Sequence, residues 1–339
     1  MIKSTSGSYS SLLSVGIYRA TNVVPNSAIV EKIDSSDEWI RQRTGIETRR
    51  FADKDISVVD MGTTAAKQAL QRAGIDANQV DLIILASISY PQQTPSGASG
   101  IAANIGANKA AAFDLSAACA GFTYGVGLAK DLILGGTAKY VLVIGAEKLS
   151  DFTDSTDRAT AFIFSDGAGA VLIGPSSEPG IGPTAWGSDS DQRDAITMSS
   201  WLDFKDTATP ANQIPWPDIH QEGQRVFRWA AFSVGKAGAK AIELAGIQPT
   251  ELSAFVPHQA NLRIIEKMAE DLKLPKDIFI ADDIRTNGNT SAASIPLAMD
   301  ALLTDHPELH SQLALIIGYG AGLAYAAQVV KLPPKPVSY

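Results

Sequence analysis

Long apolar runs and small-residue-rich amphipathic runs alternate along nearly the whole chain. The clearest apolar runs are DLIILASIS from Asp81, KYVLVIGAE from Lys139, AVLIG from Ala170, SAFVP from Ser253 and LALIIGYG from Leu313. None alternates strictly between apolar and polar, so each predicts a strand covered on both faces. Between them, VDMGTTAAKQALQRAG and GKAGAKAIELAG read as helices stopped by glycine. Alternation of this kind predicts an α/β protein with helices around its sheets.

The pattern also repeats. ALQRAGIDANQVDLIIL, ending at Leu85, matches AIELAGIQPTELSAFV, ending at Val256, as helix, AGI, polar turn and strand. Glycine-rich strand segments follow in each half, DGAGAVLIG from Asp166 and GYGAGLAYA from Gly318. Two repeats are too few for a solenoid. They predict a duplicated α/β unit with halves at residues 1–178 and 179–339. The polar, Trp- and Pro-containing stretch near 187–222 reads as an insertion over the second half.

Composition narrows the function classes. The 339 residues are 45% apolar and 19% charged, which suits a globular chain with a large core. No apolar run reaches the ~20 residues of a membrane-spanning helix. The Ser-rich start, MIKSTSGSYSSLL, holds no apolar block of a secretory signal. Lys and Arg number 28 against 36 Asp and Glu, a net charge of −8 that argues against nucleic acid. A single cysteine forbids an internal disulfide and suits a reducing cytoplasm.

Four segments carry candidate chemistry. In FDLSAACAGF, small residues lead from a strand into a helix with Cys119 near its first turn. Helix N-terminal polarity there is expected to lower the thiol pKa; a buried structural cysteine is the alternative. In VPHQANLRI, His258 stands where a strand ends, the place α/β proteins put their sites, or else it caps the following helix. Neutral imidazole is expected there. In TNGNTSAASIP, Asn289 either caps a helix or offers an amide to a developing oxyanion. In IIGYGAGLAYAA, glycines break a strand and expose backbone amides. No acidic residue follows Glu308, which excludes a dinucleotide loop there.

Together DSSDEWIRQRTGI, DLSAACAGF, VPHQANLRI, GNTSAASIP and IGYGAGLAYAA resemble β-ketoacyl-ACP synthase III, in that family's order from Asp34 to Ala327. The look is closest to actinobacterial members. The resemblance implies a thiolase-like fold, two α/β halves stacked as α-β-α-β-α, forming a homodimer. It implies that Cys119 takes an acyl group from acyl-CoA, and that His258 and Asn289 support decarboxylation of malonyl-ACP. Trp39 and Arg158 match residues that sandwich the adenine of CoA, and Arg43 a neighbouring contact. The amides of Cys119 and of the Tyr319–Gly322 loop, with Ala321 central, match the oxyanion hole. Phe164 and Phe227 match walls beside the thiol. Thr94 stands where acetyl-specific members carry Phe, which implies a longer acyl channel.

No cofactor or metal is expected beyond the two thioester substrates. The carrier protein is acidic, as is this chain, so a basic patch is expected. Arg263 matches a family contact; Arg225, Arg228, Lys236, Lys240 and Lys267 are further candidates. Thiolase itself needs a second catalytic cysteine and is excluded by count. The competing readings are an acyltransferase working without decarboxylation and a non-catalytic subunit; the Cys119–His258–Asn289 set argues against both.

Overall fold

The computed structural model describes residues 8–200 and 216–337. The middle of the expected insertion and the first residues of the Ser-rich start lie outside them. The strands are β1 (Tyr9–Arg19), β2 (Asn22–Pro25), β3 (Thr48–Phe51), β4 (Leu82–Ala86), β5 (Ala111–Leu115), β6 (Val141–Lys148) and β7 (Asp166–Ser176). They continue as β8 (Ala185–Ser188), β9 (Ile196–Met198), β10 (Ile219–Gln221), β11 (Ala254–Pro257), β12 (Phe279–Ile280), β13 (Leu313–Gly320) and β14 (Ala324–Lys331). The helices are α1 (Asn26–Val30), α2 (Asp37–Thr44), α3 (Val58–Ala73), α4 (Gly97–Ile105) and α5 (Gly121–Leu134). After them come α6 (Gly223–Trp229), α7 (Gly235–Ala245), α8 (Leu262–Asp271), α9 (Ile284–Asn287) and α10 (Ser294–Asp305).

Two five-stranded sheets form, in the orders β1-β7-β6-β4-β5 and β8-β14-β13-β11-β12. They are the same sheet twice. In each, the strand second from one edge runs parallel to both neighbours, β4 to β5 and β6, β11 to β12 and β13. In each, the next pairing is antiparallel, β6 with β7 and β13 with β14. The repeat read from the sequence is physical down to its turns. Helix α3 ends at Gly74 and α7 at Gly246, both left-handed, with φ of 65° and 70°. A short 3-10 turn with a capping box follows each, Asp76 with Gln79 and Gln248 with Glu251, before β4 and β11 begin.

Helices α3 and α4 cover the outer face of the first sheet, α5 and α10 lie between the sheets, and α7 and α8 cover the second. The result is the expected α-β-α-β-α order. Strands β4, β6 and β7 are almost wholly buried, which is why their sequences run apolar without alternation. The glycine-broken segment is two strands, β13 and β14, joined at residues 321–323. Its glycines are needed because backbone at Gly320 lies against Cys119: a Cβ there would stand 2.8 Å from the cysteine Cβ and 3.1 Å from Sγ.

A second close approach brings the halves together at the site. A Cβ on Gly145 of β6 would stand 2.2 Å from the Ala292 carbonyl oxygen, a backbone atom that cannot swing aside. Gly145→Ala is therefore expected to push the Ser291–Ala293 turn off β6 and destabilise the fold by about 1–3 kcal/mol. Thermal melting beside an activity assay checks this; an unchanged midpoint with full activity would show that the turn has slack.

Candidate active site

Cys119, His258 and Asn289 come from three distant segments and line one cavity of about 710 Å³. That volume suits a small-molecule site. His258 directly follows the buried strand β11, Cys119 lies past the edge strand β5, and Asn289 follows the short helix α9. Beyond β5, Ala118 takes φ = 45°, and Cys119 follows on the 3-10 turn Ala118–Ala120 that opens α5. A left-handed alanine is a strained conformation of the kind that clusters at functional sites. Burial pushes the Cys119 thiol up to about 12, with the nearby Glu147 carboxyl adding to the rise and the Ser291 side chain opposing it. This corrects the expectation of a lowered pKa: removing the thiolate from water outweighs the polarity of one helix start.

His258 directly follows β11, and its amide donates to the Ile317 carbonyl at 2.7 Å. The ring is 1% exposed and packs edge-on against Tyr319, centroids 5.1 Å apart. Burial pushes its pKa down to about 3, so it is neutral as expected, though burial rather than helix polarity is the cause. Nδ1 lies 2.7 Å from Ser294 Oγ. That oxygen also accepts the Gln259 amide at 3.2 Å and can give its own hydrogen to Nδ1. With that donation the imidazole carries its proton on Nε2, free to donate.

The capping reading of the Asn289 motif is met in the structure. Its Oδ1 accepts the Ser291 amide at 2.8 Å and caps the 3-10 turn Ser291–Ala293. With that oxygen engaged, the amide NH₂ is the group left to donate. Backbone bonds between Asn289 and the 163–165 segment hold Phe164 beside it on the cavity wall.

Trp39, Arg43, Arg158, Phe227, Arg228, Arg263 and Ala321 also line the cavity, its arginines at the solvent end. Arg43 and Arg158 each stack on the Trp39 indole, 5.8 and 5.7 Å from its centre, and Arg263 stacks on Phe227 at 5.1 Å. Strands β9 and β10 of the expected insertion add Ile196 and Ile219 to the wall.

Other candidates fall elsewhere. Thr94 is exposed and absent from the lining; its loop is tied to β5 by Asp114, which accepts the Gly97 and Ala98 amides at 2.7 and 2.8 Å. Arg225 pairs with Asp194 and Glu222, Lys240 with Glu243, and Lys267 with Glu270 and Asp271. Arg228, Lys236 and Arg263 are exposed.

The sequence reading passed over four buried polar residues. Glu147 and Gln259 are 0% exposed, Ser291 1% and Tyr319 2%. Gln259 braces the His258 segment, donating to the Pro257 and Ala281 carbonyls and accepting the Ile284 amide. The Tyr319 hydroxyl has no hydrogen-bond partner among the described residues, and burial raises its pKa further above the phenol range. A carboxylate inside the apolar run KYVLVIGAE was the signal available for Glu147.

Residues 113–190 match the family model for 3-oxoacyl-[acyl-carrier-protein] synthase III, and residues 242–332 match that of its C-terminal part. A β-ketoacyl-[acyl-carrier-protein] synthase III of Streptomyces coelicolor is 53% identical, covering 98% of this chain and 99% of that protein. The chain belongs to the 3-oxoacyl-[acyl-carrier-protein] synthase III family. A mycobacterial family member from Mycobacterium avium is 50% identical over 98% of this chain and 99% of its own. Among solved structures, a priming β-ketosynthase of a polyketide pathway superposes with a TM-score of 0.95 at 40% identity, covering 99% of both chains. The synthase III of Aquifex aeolicus superposes at 0.85 with 37% identity, covering 95% of this chain and 99% of that one. The five-layer architecture is thus the thiolase fold of these synthases, and the chain is a condensing enzyme, an acyltransferase. Among the described residues no helix is long and apolar enough to cross a membrane.

Proposed function

We propose that the chain condenses an acyl-CoA primer with malonyl-ACP, releasing CoA and carbon dioxide and leaving 3-oxoacyl-ACP, through an acyl group held on Cys119. The observation that carries the assignment of roles is the convergence of Cys119, His258 and Asn289 on one cavity whose solvent end is aromatic and cationic. Thiolate Sγ attacks the primer thioester and the acyl group transfers to sulfur. Amides of Cys119 and Ala321 receive the oxyanion. The phosphopantetheine arm of malonyl-ACP then enters by the same cavity. His258 Nε2–H and the Asn289 amide donate to its thioester oxygen as carbon dioxide leaves. The enolate carbon attacks the acyl-cysteine and expels the thiolate. The reaction calls for no cofactor beyond the two thioesters.

Trp39, Arg43 and Arg158 receive the CoA nucleotide. The 5.7 Å between Arg158 and Trp39 is narrower than the ~7 Å needed for a ring stacked between two planes. Arg158 therefore swings outward on binding; its side chain is 57% exposed and its contact with Asp34 is long, 3.9 Å. Arg228 and Arg263 receive the acidic carrier protein, since Arg225, Lys240 and Lys267 are already paired with carboxylates on this chain.

Strand β5 ends its sheet with Phe113 39% exposed, an apolar edge suited to pairing with a second copy as a homodimer. The Thr94 loop is tied to that edge, which places Thr94 beside the pairing surface rather than in the acyl cavity of its own chain. Cytoplasmic residence follows from the reducing conditions a catalytic thiol and CoA thioesters require.

Intact-mass measurement after incubation with acetyl-, isobutyryl-, octanoyl- and lauroyl-CoA tests the reading. An adduct of one acyl group is expected, and the length giving most adduct names the primer class. No adduct from any donor would reopen the readings as a transferase of other substrates or a non-catalytic subunit.

A further inference from the structure

The mechanism above leaves one proton without a destination. Cys119 must lose it before attacking, yet its surroundings oppose the thiolate: burial raises the pKa, and the charged group acting on the sulfur is a carboxyl, Glu147. His258 is a poor acceptor, because burial keeps it neutral and pushes its pKa to about 3.

Glu147 lies on β6 with its side chain wholly buried, two residues after Gly145, the glycine on which the Ser291–Ala293 turn rests. Its Oε2 accepts from Ser87 Oγ at 3.2 Å, from the Ile88 and Ser89 amides at 3.1 Å each, and from Ser89 Oγ at 2.5 Å. Its Oε1 has only a long bond from the Ile88 amide at 3.3 Å. No cation pairs with it among the described residues. Neighbouring Lys148 points away, to the Asp53 and Lys54 carbonyls and Asp151. One oxygen is saturated and the other is free to take a proton.

Ser291 links this carboxyl to the thiol. It lines the cavity with Cys119, is 1% exposed, and is held at φ = 47° by a turn whose cap is Asn289. Its hydroxyl makes no hydrogen bond of standard geometry among the described residues, and the turn that carries it rests on Gly145 of β6, two residues before Glu147. A buried, strained serine with an unsettled hydroxyl between an acid and a base is placed to pass a proton.

We propose that Glu147, acting through Ser291, accepts the proton Cys119 loses on acylation and returns it when the thiolate is set free. This rests on the acyl-cysteine reading above. As Sγ attacks, its proton passes to Ser291 Oγ and the serine proton passes to Glu147 Oε1; the C–S bond to CoA breaks and the CoA thiolate takes a proton from solvent. After carbon dioxide has left and the enolate has attacked, the Cys119–acyl bond breaks. The freed thiolate recovers the proton from Glu147 by the same route. One proton from solvent is consumed per turnover, as the overall reaction requires. Until the acyl group is bound the pair carries one negative charge, on the carboxylate or on the thiolate, because two anions this close in a buried site repel; in the acylated state both groups are neutral. Glu147, raised by burial to about 7, can exchange a proton at neutral pH.

Glu147→Gln and Ser291→Ala test the relay, with rapid-quench acylation by whichever of acetyl-, octanoyl- or lauroyl-CoA loads the wild type fastest. Both variants are expected to acylate about 100-fold more slowly at pH 7. They are expected to regain rate as pH rises toward the thiol's own value, where hydroxide replaces the relay. Release of carbon dioxide from malonyl-ACP should be unaffected. Ser291→Ala leaves the buried carboxyl in place, so the measurement stands even if the Glu147 variant does not fold. Acylation at the wild-type rate, or loss of both half-reactions at every pH, would overturn the relay. A wild type that forms no adduct, or a Cys119→Ala variant that still does, would instead overturn the acyl-cysteine reading, and the relay with it.

Discussion

Replacing Cys119 by alanine is expected to abolish the acyl adduct and to lower condensation by about 10⁴-fold or more, while leaving decarboxylation of malonyl-ACP near its wild-type rate. The split follows from the geometry. Sγ is the atom to which an acyl group would bond, but the donors toward the malonyl thioester are His258 and Asn289, neither of which depends on the sulfur for position. His258 is set by Ser294 and by its backbone bond to Ile317; Asn289 is set by the Ser291 amide and the 163–165 segment. Intact mass reads the first half-reaction and release of carbon dioxide reads the second. If Cys119→Ala lost both, the thiol would be holding the site together rather than carrying the acyl group.

His258→Ala and Asn289→Ala are expected to give the opposite split. Each should lower carbon dioxide release by about 100–1,000-fold, the usual cost of removing one preorganised donor, while the acyl adduct still forms. The neutral state of His258 adds a pH signature. Its folded pKa is lowered from 6.5 to about 3, so it keeps its hydrogen-bonding form throughout the neutral and mildly acidic range. Carbon dioxide release should therefore not fall between pH 8 and pH 5 through this group. Stability follows the matching sign: below 6.5 the unfolded chain takes up a proton that the folded chain refuses, so this histidine destabilises the fold as pH falls toward 3. A decline in carbon dioxide release centred near pH 6.5 would show that His258 is solvated and titrates normally.

The split between the half-reactions also separates the relay residues from the donors. Glu147 and Ser291 sit on the Cys119 side and should affect acylation alone. Asn289 and Ser291 are only two residues apart, and one caps the turn carrying the other, so comparison of their alanine variants is a strict internal control.

Much of the architecture was legible in the sequence because it rests on local rules. Apolar runs without alternation marked β4, β6, β11 and β13, since strands buried on both faces cannot show a period of two. The matched AGI segments marked equivalent helix ends, since left-handed closure at Gly74 and Gly246 favours glycine. The strand ends ahead of Cys119 and His258, and the helical turn after Asn289, were readable for the same reason.

Chain order alone could not say which side chains meet, and that is where the reading needed correction. Arg225, Lys240 and Lys267 looked like free positive charge, but carboxylates at nearby positions claim them. Thr94 sits by sequence position where an acyl-channel residue belongs, but its loop is tied to an exposed sheet edge outside the cavity of its own chain. Glu147 drew no reading at the end of its apolar run, and only packing of the two halves brings the Ser291 turn against its strand.

What the sequence determined by itself was the set of elements, their duplication and the residue types available for thioester chemistry, because propensity, periodicity and turn chemistry act over a few residues. What the tertiary structure decided was the electrostatic state of those residues. The Cys119 thiol is pushed up, His258 down and Glu147 up, each chiefly by burial. Burial depends on segments more than 100 residues apart closing over one another, and no local pattern encodes how much water that closure removes.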